Sequence, residues 1–197
     1  MNRYHRRCCA SAGWAERMRQ VVMPWVLDGL DLGPAVVEIG PGPGVTTDVL
    51  RERGHGVTAA EVDAGAAAAL ARRVAVPVCA ADGAALPFAD ASFTGAACCT
   101  MLHHVPSAAR QDALLAEARR VLRPGGWLAG CDSRVSLRFR AAHLFDTMVA
   151  VDPATFPARL AAAGFVDAEV EVGERSFRFR ARRPRQAPGD RSSRRPG

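Results

Sequence analysis

Apolar positions along this chain follow two alternating rhythms. Ala35-Val36-Val37-Glu38-Ile39 is a short apolar run. Gly40, Gly42 and Gly44 follow at once, and then Val45-Thr46-Thr47-Asp48-Val49-Leu50 places apolar residues at helical spacing. This predicts a strand, a glycine turn and a helix that stops at Gly54. The unit then repeats. Gly56 to Asp63 reads as a second strand, alanine-rich Ala64 to Arg73 as a helix, and Pro77-Val78-Cys79 as a third strand. Thr94 to Thr100 reads as the fourth strand. Ser107 caps a helix to about Leu122 with a stripe of Leu114, Leu115, Ala118, Val121 and Leu122. Arg123-Pro124-Gly125-Gly126 then turns the chain into a fifth strand, Trp127 to Asp132. Ahead of the first strand, Ser11 caps a predicted helix from Ala12 to Asp28, ended by Gly29. Its apolar face, Trp14 to Trp25, reads either as a cover for the sheet or as a lid on a pocket. Residues 133–151 read as an apolar helix or lid. Asp152 or Thr155 caps a last helix, ended by Gly164, and 165–172 and 176–180 alternate as a hairpin. Five strand–helix alternations and a hairpin predict an α/β doubly wound sheet, parallel except at its C-terminal end.

Composition bounds this picture without changing it. At 197 residues and 49% apolar content, the chain is one ordinary globular domain. Residues 1–33 form a helical cap, 34–181 the ligand-binding domain and 182–197 a basic tail that reads as disordered. The net charge of +6 hints at nucleic acid, but Arg182, Arg183, Arg185, Arg191, Arg194 and Arg195 against Asp190 supply five of those charges. The body is close to neutral, so no nucleic-acid partner is expected. Six cysteines in no CxxC spacing read as small buried hydrophobes of a reducing, cytoplasmic setting. No stretch has the length of a membrane span, and Pro24 breaks the apolar run near the N-terminus, so neither membrane nor signal peptide is expected.

The glycine loop carries the candidate chemistry. Glycines let the backbone take positive φ, and the helix that follows points free N–H groups into the turn. A phosphate loop ending in Gly-Lys-Ser/Thr is excluded, because the chain contains no lysine. The dinucleotide fingerprint needs a glycine where Val45 stands. A tight turn with no ligand remains open at this point. Glu61, 21 residues after Gly40, closes the second strand, where a carboxylate can accept two hydrogen bonds from a ribose diol. Asp82 follows the third strand.

Four stretches carry a resemblance. They are Glu38 with GxGxG (Gly40, Gly42, Gly44), Glu61-Val62-Asp63, Asp82-Gly83-Ala84-Ala85-Leu86-Pro87-Phe88, and Leu102-His103-His104-Val105 followed by Arg120-Val121-Leu122-Arg123-Pro124-Gly125-Gly126. In this order they resemble the class I S-adenosylmethionine (SAM)-dependent methyltransferases, over roughly 35–181. The resemblance implies a Rossmann-like seven-stranded sheet, SAM as cofactor and S-adenosylhomocysteine as product. It implies cofactor contacts from Glu38, Gly40, Pro41, Gly42, Gly44, Glu61, Val62, Asp82, Gly83, Ala84 and Thr100. In the family the first acid lies under the methionine end, the second holds the ribose and the third meets the adenine amino group. Thr94 stands where the family usually has an aspartate, a residue that generally supports structure. The acceptor implied is a small, partly apolar molecule. No catalytic residue is required, and His103 and His104 are weak candidates for a general base, against a packing and turn-capping role. Adjacent histidines cannot both face one point in a regular helix and no third ligand is near in sequence, so no metal site is expected. Two rivals stay open, a non-catalytic SAM-binding regulator or scaffold and a nicotinamide-dependent oxidoreductase. Glycine spacing, Asp82 and the missing lysine weigh against the second.

Overall fold

The computed structural model describes residues 7, 9–144 and 146–185. Much of the expected basic tail, 186–197, lies outside these residues. Seven strands form one sheet: β1 (Ala35–Ile39), β2 (Gly56–Glu61), β3 (Val78–Ala80), β4 (Phe93–Cys99), β5 (Leu122–Ser133), β6 (Val166–Val172) and β7 (Ser176–Arg182). Their order is β3-β2-β1-β4-β5-β7-β6. The first five pair in parallel, and β7 lies antiparallel between β5 and β6. The order reverses between β1 and β4, which opens a crevice at the C-terminal ends of these two strands. This is the doubly wound, Rossmann-like sheet that the apolar pattern predicts.

Helices cover both faces. On one side α1 (Ala12–Arg17) passes through a single π turn (Met18–Val22) into α2 (Met23–Val26). Met18, Val22, Met23 and Val26 pack with Val36, Val57, Ala97 and Ala129 of the sheet and with Val49 and Leu50 of α3 (Val45–Glu52). The N-terminal segment therefore covers the sheet. Its Ser11 cap is real, accepting from the Trp14 amide at 3.2 Å. On the same side of the chain, α4 (Ala64–Arg73) is capped by Asp63, which accepts from Ala66 N at 2.8 Å. The other face carries α5 (Ala108–Val121) and α7 (Phe156–Ala162), with Leu114, Leu115, Phe156 and Leu160 buried against Val37, Leu128, Phe177 and Phe179. No helix among the described residues is long and apolar enough to cross a membrane.

Several boundaries differ from the reading of the sequence. β4 begins at Phe93 and ends at Cys99, leaving Thr100 at φ +54°, outside the strand. β5 begins at Leu122, because Phe93 pairs with Leu122 before Gly95 pairs with Trp127. The predicted Pro124-Gly125-Gly126 turn survives as an irregularity inside the strand, with Gly125 at φ +84°. In 133–151 the helix is only α6 (Leu137–Ala142), and 146–150 have no regular structure. At α7, Thr155 holds the cap position without a side-chain bond, and Asp152 accepts from Ala154 N at 2.9 Å. β7 extends to Arg182, and the Arg183 guanidinium donates to the carbonyls of Arg119 and Arg120 at 3.1 and 2.8 Å.

Candidate active site

The site lies at the C-terminal ends of β1, β2, β3 and β4. The loop after β1 takes the shape that only glycine adopts freely. Gly40, Gly42 and Gly44 sit at φ +69°, +52° and +83°. A Cβ on Gly40 would come within 2.9 Å of Met101, and one on Gly44 within 2.3 Å of Arg73 and Leu70. A Cβ on Gly42 would meet nothing within 4 Å. The loop is thus packed at its two ends and open at its middle, where a ligand can lie against bare main chain. Pro41 is buried at its base. Arg73 braces the loop from α4, donating to Gly44 O at 2.8 Å and pairing with Asp48 at 2.7 Å.

Three acids surround the loop, in three different environments. Glu38 is 2% exposed, and Thr47 Oγ1 donates to its Oε2 at 2.5 Å. Burial pushes its carboxyl up to about 7, against the lowering effect of the Thr47 bond. Glu61 is also buried, with Oε2 accepting from Gly42 N and Oε1 from Asp63 N, both at 3.1 Å. It therefore touches the open glycine of the loop. Asp82 is more exposed. Its Oδ1 accepts from Ala84 N at 2.9 Å and its other oxygen pairs with Arg110 of α5. Val62, next to Glu61 in the chain, is 69% exposed. Gly83 faces inward, since a Cβ there would strike Leu114 and Ile39 at 2.7 and 2.8 Å. Thr100 donates its amide to Cys131 O at 2.7 Å at the end of β4.

Next to the loop the chain forms a one-turn 3₁₀ helix, Leu102–His104. His103 is 2% exposed and bonds Asp132 twice, its amide to Oδ2 at 3.0 Å and its Nδ1 to Oδ1 at 2.5 Å. Ser133 N donates to the same Oδ1 at 2.6 Å. α6 brings His143 to this place, with Nδ1 against Phe139 O at 2.7 Å. The rings of His103 and His104 lie 4.2 Å apart, and those of His103 and His143 4.9 Å apart. Phe139 packs edge-on to His103 at 5.0 Å. Reading by sequence missed Asp132, Thr47, Arg110 and His143. Asp132 had a signal, since it closes β5 as Glu61 closes β2. Thr47 lies one helical turn into α3, and Arg110 and His143 are brought in by packing alone.

Neither Cys98 nor Cys131 is poised as a nucleophile. Burial holds Cys98 well above the ordinary thiol range, and a side-chain hydrogen bond with Cys99, together with burial, does the same for Cys131. A concavity of about 750 Å³ lined by Pro34, His55, Gly56 and Pro77 lies at the opposite, N-terminal ends of β1 to β3.

Comparison with known proteins decides between the ligands this geometry admits. Residues 37–130, which hold the loop, the acids and both adjacent histidines, match the family model described as a methyltransferase domain. Over these residues the chain is similar to the SAM-dependent methyltransferases. Demethylmenaquinone methyltransferases of Corynebacterium urealyticum and Mycobacterium bovis are each 38% identical to it, over 102 and 105 residues. These matches take in 51% and 52% of this chain but 43% of either relative, so the chain spans well under half the length of these relatives. The solved SAM-dependent methyltransferase of Thermotoga maritima, titled a possible histamine N-methyltransferase, superposes with a TM-score of 0.72 at 20% identity, over 91% of this chain and 98% of that one. The [4+2]-cyclase SpnF superposes at 0.68 with 20% identity, over 88% and 82%. Such likenesses establish the fold, and one fold carries more than one chemistry. The cofactor of the family is SAM, and the site fits it. The loop is open at Gly42, a carboxylate ends β2 and another follows β3.

Proposed function

We propose that the protein is a SAM-dependent methyltransferase acting on a small, partly apolar acceptor with an oxygen, nitrogen or carbon nucleophile. The observation that carries this reading is the meeting, at one end of the sheet, of the open glycine loop and its three acids with a cluster of three histidines and Phe139. When bound, SAM supplies a methyl carbon already activated on a sulfonium, passed to the acceptor's lone pair in a single displacement that leaves S-adenosylhomocysteine. The chain's own part is to bind, to align and to exclude water. Glu61 holds the ribose diol, Asp82 and Ala84 the adenine edge, and Glu38, with Gly40, Pro41, Gly42 and Gly44, the methionine end. Val62 and Gly83 would meet the adenine, and Thr100 would lie toward the methyl group. Alignment of this kind supplies ~7–11 kcal/mol when geometry is held. Met101, Phe139 and the histidines wall the acceptor. His103 and His104 ease loss of the proton that an acceptor hydroxyl or amine gives up, His103 being the better fixed through Asp132.

The relatives' names make demethylmenaquinone the first acceptor to try, although the match with them takes in only about half of this chain. The deciding experiment measures thermal stability with SAM, S-adenosylhomocysteine, NAD or no addition, followed by label transfer from methyl-labelled SAM. A ligand at 100 times its dissociation constant adds ~2.7 kcal/mol, a rise of several degrees in a chain of this size. SAM and its product should each give that rise and NAD none. A rise with NAD alone would show that the site is a nicotinamide site. A rise with SAM but no labelled product from any acceptor in an extract would leave the chain a SAM-binding regulator.

A further inference from the structure

We propose that His103, His104 and His143 form a binding site for a divalent first-row transition cation of the zinc type, beside the cofactor loop. The proposal rests on the methyl-transfer reading for its purpose but not for its existence.

The sequence argued against a metal on two grounds, and the fold removes both. Leu102–His104 is a 3₁₀ turn and not a regular α-helix, so the two adjacent imidazoles come together with ring centroids 4.2 Å apart. The third histidine arrives from a distant part of the chain, on the C-terminal side of α6, 4.9 Å from His103 and 5.3 Å from His104. One ring nitrogen from each of the three lies within 4.8 Å of the others. A cation held at 2.0–2.1 Å from each of three nitrogens spaces them ~3.4 Å apart, which is a small rotation of the rings away.

The surroundings have the form that ligating histidines require. A metal-bound imidazole usually gives its other nitrogen to a carboxylate or a backbone carbonyl, which fixes the ring and raises its basicity. His103 turns Nδ1 to Asp132 Oδ1, and His143 turns Nδ1 to Phe139 O at 2.7 Å. Asp132 is itself held by the amides of His103 and Ser133. His103 and His143 are buried and His104 half-buried, so the cluster reaches solvent on the His104 side. Three neutral imidazoles suit zinc, nickel, cobalt or iron better than magnesium or calcium. Three protein ligands leave a fourth position open to water or to an acceptor oxygen. A cation there lowers the pKa of a bound hydroxyl, so the acceptor's proton can pass to solvent. That is the same service a histidine base would give, achieved through coordination.

The test titrates the full chain, freed of metal by chelation, with Co²⁺, whose visible absorption reports coordination. One equivalent should bind, with a spectrum of nitrogen and oxygen ligands, and Zn²⁺ should displace it. His104→Gln and His143→Gln should each weaken Co²⁺ binding at least 100-fold, and Asp132→Asn 10–100-fold. His104 is half-buried, so its variant keeps the fold readable, and an unchanged SAM-induced rise in melting temperature certifies each variant. A sulfur-to-cobalt charge-transfer band, binding that survives both histidine variants, or no stoichiometric uptake would overturn the site. SAM stabilisation without Co²⁺ binding removes the metal site alone. Co²⁺ binding at these histidines without SAM stabilisation keeps it and removes the methyl-transfer reading.

Discussion

Glu38 and Glu61 are neighbouring buried carboxylates with opposite work to do. Burial pushes Glu38 up to about 7, from an unfolded value of 4.5. Between these values the folded chain holds a proton that the unfolded chain has lost. The stabilising contribution is therefore complete below pH 4.5 and disappears as pH rises through 7. The shift corresponds to roughly 3 kcal/mol. Melting curves at pH 5.5 and 8 should show the native chain losing stability, with Glu38→Gln abolishing most of that slope. A slope that persists in the variant would place the titrating group elsewhere. A cationic methionine end beside Glu38 favours its charged form, so SAM should bind more tightly at pH 8 than at pH 6. Glu61 is ready-made by comparison, its two oxygens already taking the amides of Gly42 and Asp63. Hydrogen bonds to a charged group are worth ~1.5–3 kcal/mol each. Glu61→Ala should lower SAM affinity by a factor of about 10–100 while the ligand-free chain stays folded, its melting temperature lower by roughly 6–24 °C for the two bonds lost. Unchanged affinity, read by calorimetry, would mean that the ribose lies elsewhere.

The elements around the site are held by a few side chains whose role is positioning. Arg120 of α5 is the strongest case. It donates to Leu86 O at 2.9 Å and Phe88 O at 2.7 Å, and it pairs with Glu117 and Asp90 at 2.7 and 2.8 Å. It fastens the loop that begins with Asp82 onto α5. Lysine cannot reproduce that planar fork. Arg120→Lys should cost ~2–3 kcal/mol through the two carbonyls left short of a donor, seen as a fall of roughly 4–12 °C in melting temperature. A fall below a degree would show that the loop holds itself. Much of this architecture was legible in the chain. Ser11, Ser107, Gly54 and the three glycines of the loop act locally, and their reading held. The acids were found because strand ends follow from apolar runs. What escaped depends on distance in sequence. Thr94 illustrates it: its hydroxyl donates to Ala35 O at 2.9 Å and accepts from Ala35 N at 3.0 Å, lacing β4 to β1. Nothing near residue 94 announces that partner. The early start of β5 has the same origin, since only the pairing of Phe93 with Leu122 places the latter in the strand.

At the scale of the whole molecule, the proposed cofactor side and the proposed acceptor side are built to different standards. The loop and acids rest on β1 to β4, and the inner residues of β1, β2 and β4 are almost wholly buried. The proposed acceptor side rests on residues 134–149, which among the described residues hold one six-residue helix and expose Val135, Leu137 and Leu144. This segment is tied at its ends. Arg134 N donates to Arg175 O at 2.9 Å and Val149 N to His103 O at 2.8 Å, with Gln111 Nε2 bonded to Val149 O at 2.9 Å. Between the ties, His143 is its main buried anchor among the described side chains. Local opening follows from few buried apolar contacts. Amide hydrogen exchange should therefore be fast across 137–147 and slow in β4 and β5, with intermediate rates in the glycine loop. SAM should protect the loop and the amides near Asp82 while leaving 137–147 nearly unchanged. Anything that grips His143, whether an acceptor or Co²⁺, should slow 137–147. Protection of 137–147 by SAM alone would instead make the cofactor the element that orders the acceptor side. The order of binding would then be compulsory, with the acceptor second.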